Sequence, residues 1–337
     1  MKTASLKPLQ PKSPISAFLD KRLEGIRLQD ELKDFLISFT DGRPFYIDII
    51  ASKLVDIAAQ LQFKWLNTAH ISQALEDLLF DSKGTINQYF QNLISGFLER
   101  PLMIDYLDIL STVSEGKRKL NQIHGGLTGK KGNISTKIER LIEENFISKN
   151  GFVHYFNDRV FEFWLKNVYN KKRYSMVSIF QDRSNIFKKE VEGLISIFIA
   201  ENKKNVYDRM QDLLKSFNNE VLKVDEKSLK FPRFDNIQIE GFTERSGEFF
   251  IRASYAPQKS WILQYSHQCV DESQMLNFID RFNGIKPTPQ KKILIAFSGI
   301  DTNAMLIAKE NKIWIWRQET LNLISSLYGK FKFFSKD

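Results

Sequence analysis

Eight lysines and arginines lie between residues 116 and 149, against three acidic residues in the same stretch. Cations bind phosphate oxygens, and amide or hydroxyl side chains at the start of a helix add hydrogen bonds to phosphates and bases. The stretch therefore predicts a surface that binds double-stranded DNA. The residues expected to make these contacts are Lys117, Arg118, Lys119, Lys130, Lys131, Asn133, Ser135, Thr136, Lys137, Arg140 and Lys149.

The elements that must position these cations are predicted to be three helices followed by a hairpin. Residues 103–113 and 119–124 have helical patterns, and glycines 125, 126, 129 and 132 separate them from a third helix over 133–145. Asn150-Gly151 is a strong turn signal between extended residues 146–148 and 152–156. This order is typical of a winged helix-turn-helix, whose third helix enters the major groove. Asn133 and Ser135 have an alternative role as helix caps.

The rest of the chain divides into a helical part and a sheet. Residues 1–14 are expected to form an extended leader, residues 15–100 a helical bundle, and residues 170–230 further helices. Basic groups at 171–173, 188–189 and 203–204 either extend the phosphate-binding surface or lie on solvated helix faces. Strands are predicted at 237–242, 248–254, 260–266, 291–297 and 312–316. Because a short helix links the last two, they are expected to be parallel.

Composition excludes several classes of protein. The chain has 337 residues, a net charge of +9 and a single cysteine, Cys269. One cysteine cannot form an intramolecular disulfide, so a reducing, cytoplasmic location is expected. The apolar runs are much shorter than a bilayer span, and the first 14 residues lack the apolar core of a secretory signal. We therefore expect no membrane partner.

Three stretches of sequence together carry a family resemblance. Residues 39–47 are Phe-Thr-Asp-Gly-Arg-Pro-Phe-Tyr-Ile, and residues 155–164 are Tyr-Phe-Asn-Asp-Arg-Val-Phe-Glu-Phe-Trp. They resemble the lid turn and the end of the winged helix in bacterial and archaeal STAND-type AAA ATPases. Residues 293–316, which end in Lys-Ile-Trp-Ile-Trp, resemble the end of the Mrr-like restriction-endonuclease fold that some of these ATPases carry.

The chain departs from that family because no phosphate-binding loop is present. A Walker A loop needs Gly-x-x-x-x-Gly-Lys. The nearest match is the glycine-rich stretch 125–131, but if Gly129 and Lys130 are taken as the last two residues of the motif, the first position is His124 and not a glycine. The resemblance therefore implies the C-terminal half of such an ATPase, with its ATPase core in cis or in trans. We expect no ATP hydrolysis by this chain and no cofactor.

The restriction-endonuclease resemblance implies a metal-dependent nuclease site, which the sequence does not complete. That fold needs acidic residues and a Glu-x-Lys or Asp-x-Lys at a strand end. Asp235 and Glu240 are candidate acids, but the next strands end in Ile-Arg-Ala-Ser and Leu-Gln-Tyr-Ser. Asp235, Glu240, Glu244 and Glu248 are better explained as solvated charges. The four histidines have no metal-ligand spacing, so no metal site and no catalytic residue is predicted.

These observations predict a multidomain α and α/β protein. Its parts are a leader (1–14), a helical lid-like bundle (15–100), a winged helix (101–172), and a helical connector with a degenerate restriction-endonuclease-like α/β domain (173–337). The expected function is non-catalytic: a DNA-binding, regulatory module of a STAND-type ATPase. One alternative is a protein-interaction module that docks on an ATPase core or on a second copy of the chain. Another is a Mg²⁺-dependent nuclease.

Overall fold

The computed structural model describes residues 14–97, 100–127, 132–174, 180–225, 227–243 and 248–332. Its contacts divide the chain into two units: residues 1–148 with 156–199, and residues 149–155 with 200–337. The long helix over residues 180–203, which was grouped with the C-terminal domain, thus packs mainly in the first unit. The proposed leader lies almost wholly outside the described residues.

The first half of the first unit is a helical bundle. Pro44 occupies the first turn of the third helix, where its missing N–H costs no hydrogen bond. Asn67 accepts hydrogen bonds from the N–H groups of Ala69 and His70 and so caps the fourth helix. The elements are α1 (Pro14–Arg22), β1 (Arg27–Leu28), α2 (Asp30–Phe39), α3 (Pro44–Leu61), β2 (Trp65–Leu66), α4 (Thr68–Leu75) with a π-helical turn (Glu76–Phe80), and α5 (Thr85–Phe97).

Three helices and a hairpin follow in the predicted order: α6 (Arg100–Ser114), α7 (Leu120–Gly126), α8 (Ile134–Glu143), β3 (Ile147–Asn150) and β4 (Val153–Phe156). We call them the helix–hairpin segment. After it come α9 (Arg159–Trp164), a second π-helical turn (Leu165–Tyr169), α10 (Asn170–Tyr174) and α11 (Phe180–Lys203). Aromatic side chains fill the core where α5 meets α9: the ring centres of Phe90 and Phe161 are 5.2 Å apart, and those of Phe90 and Trp164 are 5.4 Å apart.

The second unit begins with α12 (Val206–Lys215) and an antiparallel hairpin of β5 (Glu220–Val224) and β6 (Lys227–Phe231). The prediction of helix up to residue 230 is therefore wrong for this segment. Glu220, Leu222 and Val224 are buried and alternate with more exposed residues, which is the pattern of a strand. Helix α12 ends at Lys215, and Asn219, with a positive φ of 60°, lies just before β5.

A five-stranded mixed sheet in the order β11-β10-β9-β8-β7 forms the centre of the second unit. Its strands are β7 (Asn236–Thr243), β8 (Glu248–Ala256), β9 (Lys259–Ser266), β10 (Lys291–Ala296) and β11 (Ile313–Trp316). The helices are α13 (Glu272–Asn283), α14 (Thr302–Glu310) and α15 (Gln318–Leu327). β10 is parallel to both β9 and β11, and the sequence predicted the second of these pairings from its short crossover. Helix α15 was not predicted.

Both faces of this sheet are covered. Leu263 and Ile293 point to one face, where α12, α15 and the β5–β6 hairpin supply the apolar partners. Ile262 and Leu294 point to the other face, which α13 and α14 cover. The fold class, multidomain α and α/β, is confirmed. No helix in the described ranges is long and apolar enough to cross a membrane.

Candidate functional site

Helix α8 has one polar face near its N-terminus. Ile134, Ile138 and Leu141 are buried, as the apolar periodicity predicted. Asn133 accepts a hydrogen bond from the Thr136 N–H at 3.3 Å and is the N-cap of this helix, the alternative role considered for it. Ser135 and Thr136 are exposed. The beginning of α8 thus presents polar side chains to solvent.

The two cations further along α8 face another helix. Lys137 forms an ion pair with Asp105 of α6, and only 13% of its side chain is exposed. The Arg140 guanidinium lies 6.0 Å from the centre of the Tyr106 ring, also on α6. The expectation that these side chains project outward together is wrong for Lys137, because α6 presents a carboxylate to that side of α8. Arg140 is only partly exposed.

The cations before α7 also contact acidic side chains of the same chain or are partly buried. Arg118 pairs with Glu162 of α9 at 3.2 Å, and 16% of its side chain is exposed. Lys117 is exposed and lies 3.7 Å from the carboxylate of Glu115. Lys119 is partly buried at the start of α7. Lys130 and Lys131 lie outside the described residues, so their predicted role stays a prediction.

The tip of the β3–β4 hairpin belongs to the second unit and is not a free wing. The Asn150 side chain donates to the Lys223 carbonyl at 2.9 Å and accepts from the Lys223 N–H at 2.5 Å. The Phe152 N–H donates to the carbonyl of Val221. These bonds attach the tip to strand β5. Lys149 at the same tip is exposed.

Asp158 joins the first two stretches that carry the family resemblance. Its Oδ2 atom accepts hydrogen bonds from Arg43 at 2.9 Å and from the Tyr46 hydroxyl at 2.5 Å. Its Oδ1 atom accepts from the N–H groups of Val160 and Phe161, so Asp158 is also the N-cap of α9. Arg43 also donates to the carbonyl of Asn157. Residues more than 110 positions apart in sequence thus form one polar cluster.

The protonation of Tyr46 depends on this cluster. Burial, followed by the nearby charge of Asp158, raises the pKa of the Tyr46 hydroxyl well above its ordinary value. Tyr46 therefore remains a proton donor at neutral pH. Arg43 and Tyr46 were part of a recognised motif in the sequence, but nothing in the sequence indicated their common partner.

An apolar patch lies next to this cluster on α3 and α5, and sequence reasoning did not identify it. Phe45, Tyr89 and Leu93 are 50%, 44% and 38% exposed. The ring centres of Phe45 and Tyr89 are 5.4 Å apart, and Leu93 follows Tyr89 by one helical turn. We call these three residues the α3–α5 patch. Large apolar side chains exposed side by side are typical of interaction surfaces.

In the second unit, a polar cavity of about 260 Å³ lies at the ends of β8 and β9. Glu248, Gln264 and Ser266 line it, together with Arg281 of α13. Gln264 and Ser266 share a strand face, and the pairing of Phe249 with Tyr265 brings Glu248 beside Ser266. A Glu-x-Lys pair would need an acid at 264 and a lysine at 266, whereas this chain has an amide and a hydroxyl there.

The other candidate acids and nucleophiles do not come together in one site. Glu240 forms an ion pair with Arg252 at 2.5 Å, Asp235 is exposed, and Glu244 lies outside the described residues. In the described part of the chain, no group of three histidine, cysteine or acidic side chains is arranged to hold a metal ion. His267 and Cys269 follow the end of β9 and do not lie on the strand.

Comparisons with known proteins add little to this geometry. No family model matches the chain, and no curated protein matches it. A Walker-type ATPase of Pyrococcus abyssi is a similar solved structure, with 18% sequence identity and a TM-score of 0.34. The similar region covers 46% of this chain and 41% of that ATPase, less than half of either. The function of this chain therefore has to be argued from its own residues.

Proposed function

We propose that this chain is a non-catalytic interaction module that docks on a P-loop ATPase core, either within one longer protein or as a separate subunit. The observation that supports this most directly is the Asp158 cluster. It binds Arg43 and Tyr46 of one family-like stretch to the start of α9 in another. The two stretches that resemble STAND-type ATPases are therefore joined by hydrogen bonds in the folded chain. This is what we expect if both stretches derive from one such ATPase.

The surface that we assign to docking is the α3–α5 patch. Phe45 belongs to the same family-like stretch as Arg43 and Tyr46, and it is half exposed although it is an aromatic residue. Burying aromatic and aliphatic side chains is the main source of affinity in protein interfaces. A partner with a complementary apolar surface would cover Phe45, Tyr89 and Leu93 together.

The non-catalytic part of the proposal rests on the cavity at the ends of β8 and β9. Metal-dependent cleavage of a phosphodiester needs several oxygen ligands from carboxylates and a nearby cation. Among the described residues that line this cavity, Glu248 is the one acid, and an amide and a hydroxyl occupy the positions of a Glu-x-Lys pair. The chain also has no Gly-x-x-x-x-Gly-Lys loop for ATP.

If a P-loop ATPase domain is encoded beside this chain or ahead of it in a longer product, docking can be tested with that domain. The two proteins are mixed and analysed by size exclusion with light scattering. The buffer contains about 0.5 M NaCl, so that contacts through nucleic acid are released. We expect a complex. Phe45→Ser with Leu93→Ser should weaken it at least about tenfold, because two apolar contacts are lost.

Leu276→Ser is the matched control, because Leu276 is 46% exposed but lies on α13 of the second unit. It should leave the affinity unchanged. Failure to form a complex with this ATPase would contradict the proposed function. A complex that the patch variant leaves intact would contradict the assigned surface, while the docking function would stand.

Binding of duplex DNA is a second candidate, favoured by the exposed polar residues of the helix–hairpin segment. Lys117, Asn133, Ser135 and Thr136 are exposed in the first unit, and Lys149 is exposed in the second. Each could contact phosphates. Lys137 is a poor probe of this function, because its replacement by glutamate would place a second carboxylate beside that of Asp105. Arg140 is a poor probe because it is only partly exposed.

A further inference from the structure

A cavity of about 310 Å³ lies within the first unit, among α5, the second π-helical turn, α10 and α11. Its wall is largely apolar and includes Phe80, Trp164, Val168 and Ile186. Trp164 is held in place by its indole N–H, which donates a hydrogen bond to the side-chain Oδ1 atom of Asn87 at 3.0 Å. The Asn87 amide in turn donates to the Asp81 carbonyl at 2.7 Å. The aromatic wall is therefore already fixed before any ligand binds.

The polar lining of this cavity is cationic. Lys171, Lys172 and Arg183 line it, and none of the described residues that line it is acidic. Lys171 is partly neutralised by Glu190, 2.8 Å away. Lys172 is exposed, and no ion pair is formed by it among the described residues. The cavity thus combines an apolar wall with positive charge at its edge.

Arg183 points to the kind of ligand group that would fit. Arg183 lines the cavity and is partly exposed, although its Nε atom is buried away from the open space. An anionic oxygen is the acceptor that satisfies a guanidinium best. The cavity therefore favours a ligand that carries an anionic group.

We propose that this cavity binds a small organic anion with a flat aromatic body, its rings against Phe80, Val168 and Ile186 and its anionic group towards Arg183 and Lys172. The volume lies at the lower end of the range of small-molecule sites. Neither the family resemblance nor the docking function assigns a ligand here. The site is independent of both, because it is built from α5, α10 and α11 and excludes the α3–α5 patch.

A pair of fluorescent probes separates the charge from the aromatic body. Anilinonaphthalene sulfonate carries one negative charge, and phenylnaphthylamine is its uncharged parent. Both are titrated into the full chain, and the dissociation constants are compared. We expect one site that binds the sulfonate about tenfold or more tighter than the uncharged probe, since one charge-assisted contact has that effect.

Variants locate the bound probe. Arg183→Gln and Lys172→Gln should each weaken sulfonate binding about five- to tenfold, because each removes one cation. Ile186→Glu should abolish binding by placing a carboxylate in the cavity, and it should fold because Ile186 is 39% exposed. Lys189→Gln is the matched control on the same helix: Lys189 is exposed and does not line the cavity.

Two results would overturn the proposal. One is equal affinity for the two probes, which would mean that the cations do not act on a ligand. The other is a sulfonate signal that survives Ile186→Glu but disappears in Phe45→Ser with Leu93→Ser, which would place the probe on the α3–α5 patch. Retention of binding in that patch variant, together with its loss in Ile186→Glu, supports the cavity.

Discussion

Asp158 uses both of its carboxylate oxygens, one to cap α9 and the other to bind Arg43 and Tyr46. The sequence predicted that the stretches containing these residues belong to one kind of protein, but not that they touch. Lys137 illustrates the same limit. Helical periodicity correctly identified the buried stripe of α8, yet it could not reveal that α6 places Asp105 beside a polar position. Contacts between distant elements depend on packing, which local patterns do not encode.

Burial of Tyr46 beside Asp158 makes the free energy of unfolding depend on pH in the alkaline range. The pKa of Tyr46 is raised in the folded chain above its ordinary value of 10.0, chiefly by burial. Unfolding therefore releases a proton above about pH 10, and the free energy of unfolding falls as pH rises further. At about pH 11 this group alone should cost about 1.4 kcal/mol relative to pH 8. Urea unfolding followed by circular dichroism measures the loss.

Tyr46→Phe should be less stable than the natural chain at pH 8, by about 1 kcal/mol for the lost hydrogen bond. It should also lose less stability between pH 8 and pH 11. Tyr89→Phe removes an exposed hydroxyl and should reproduce the natural pH profile. If Tyr46→Phe followed the natural chain at alkaline pH, the buried Tyr46 proton would not be the source of the effect.

Secondary-structure elements were predicted best where their boundaries carry chemical signals. The Asn150-Gly151 turn lies where the sequence placed it, and Pro44 at the start of α3 and Asp301 as the cap of α14 are signals of the same kind. The β5–β6 hairpin was missed because its five-residue strands are too short to separate a period of two from a period of 3.6. Its partners, Phe217 and Trp261, come from other elements.

Gly151 is required where the hairpin tip meets β5. Its φ is +58°, and a Cβ atom there would lie 1.8 Å from the carbonyl oxygen of Val221. Gly151→Ala should therefore separate the tip from β5 and break the two hydrogen bonds between Asn150 and Lys223. We expect the free energy of unfolding of the second unit to fall by about 3–4 kcal/mol, from backbone strain and the lost bonds.

Gly299→Ala in the same unit isolates the backbone strain. Gly299 also has a positive φ, +103°, but an added Cβ would meet only the Cys269 Sγ atom at an ordinary 3.7 Å. This variant should cost about 1–2 kcal/mol. Chemical denaturation that gave equal losses for the two variants would show that the contact between the tip and β5 contributes nothing to stability.

At the scale of the whole molecule, the net charge of +9 is spread over many sites. In each of the three basic groups that were considered as extensions of a DNA surface, one lysine is paired with a carboxylate. Lys171 pairs with Glu190, Lys188 with Glu76, and Lys204 with Glu201 and Asp212. Net charge was correctly derived from the sequence, but its distribution depends on the fold. The paired cations do not form a continuous phosphate-binding tract.

This distribution predicts weak DNA binding that no single surface dominates. Lys117→Glu with Lys149→Glu alters two exposed candidate residues, and Lys227→Glu with Lys230→Glu alters two exposed lysines of β6 by the same total charge. In gel shifts with duplex DNA at low salt, both pairs should weaken retention to a similar extent. Binding by the natural chain should disappear by about 0.2 M salt, because it rests on few phosphate contacts. Retention that persists at that salt, and that only the Lys117 and Lys149 pair abolishes, would instead favour a defined DNA interface that includes these two lysines.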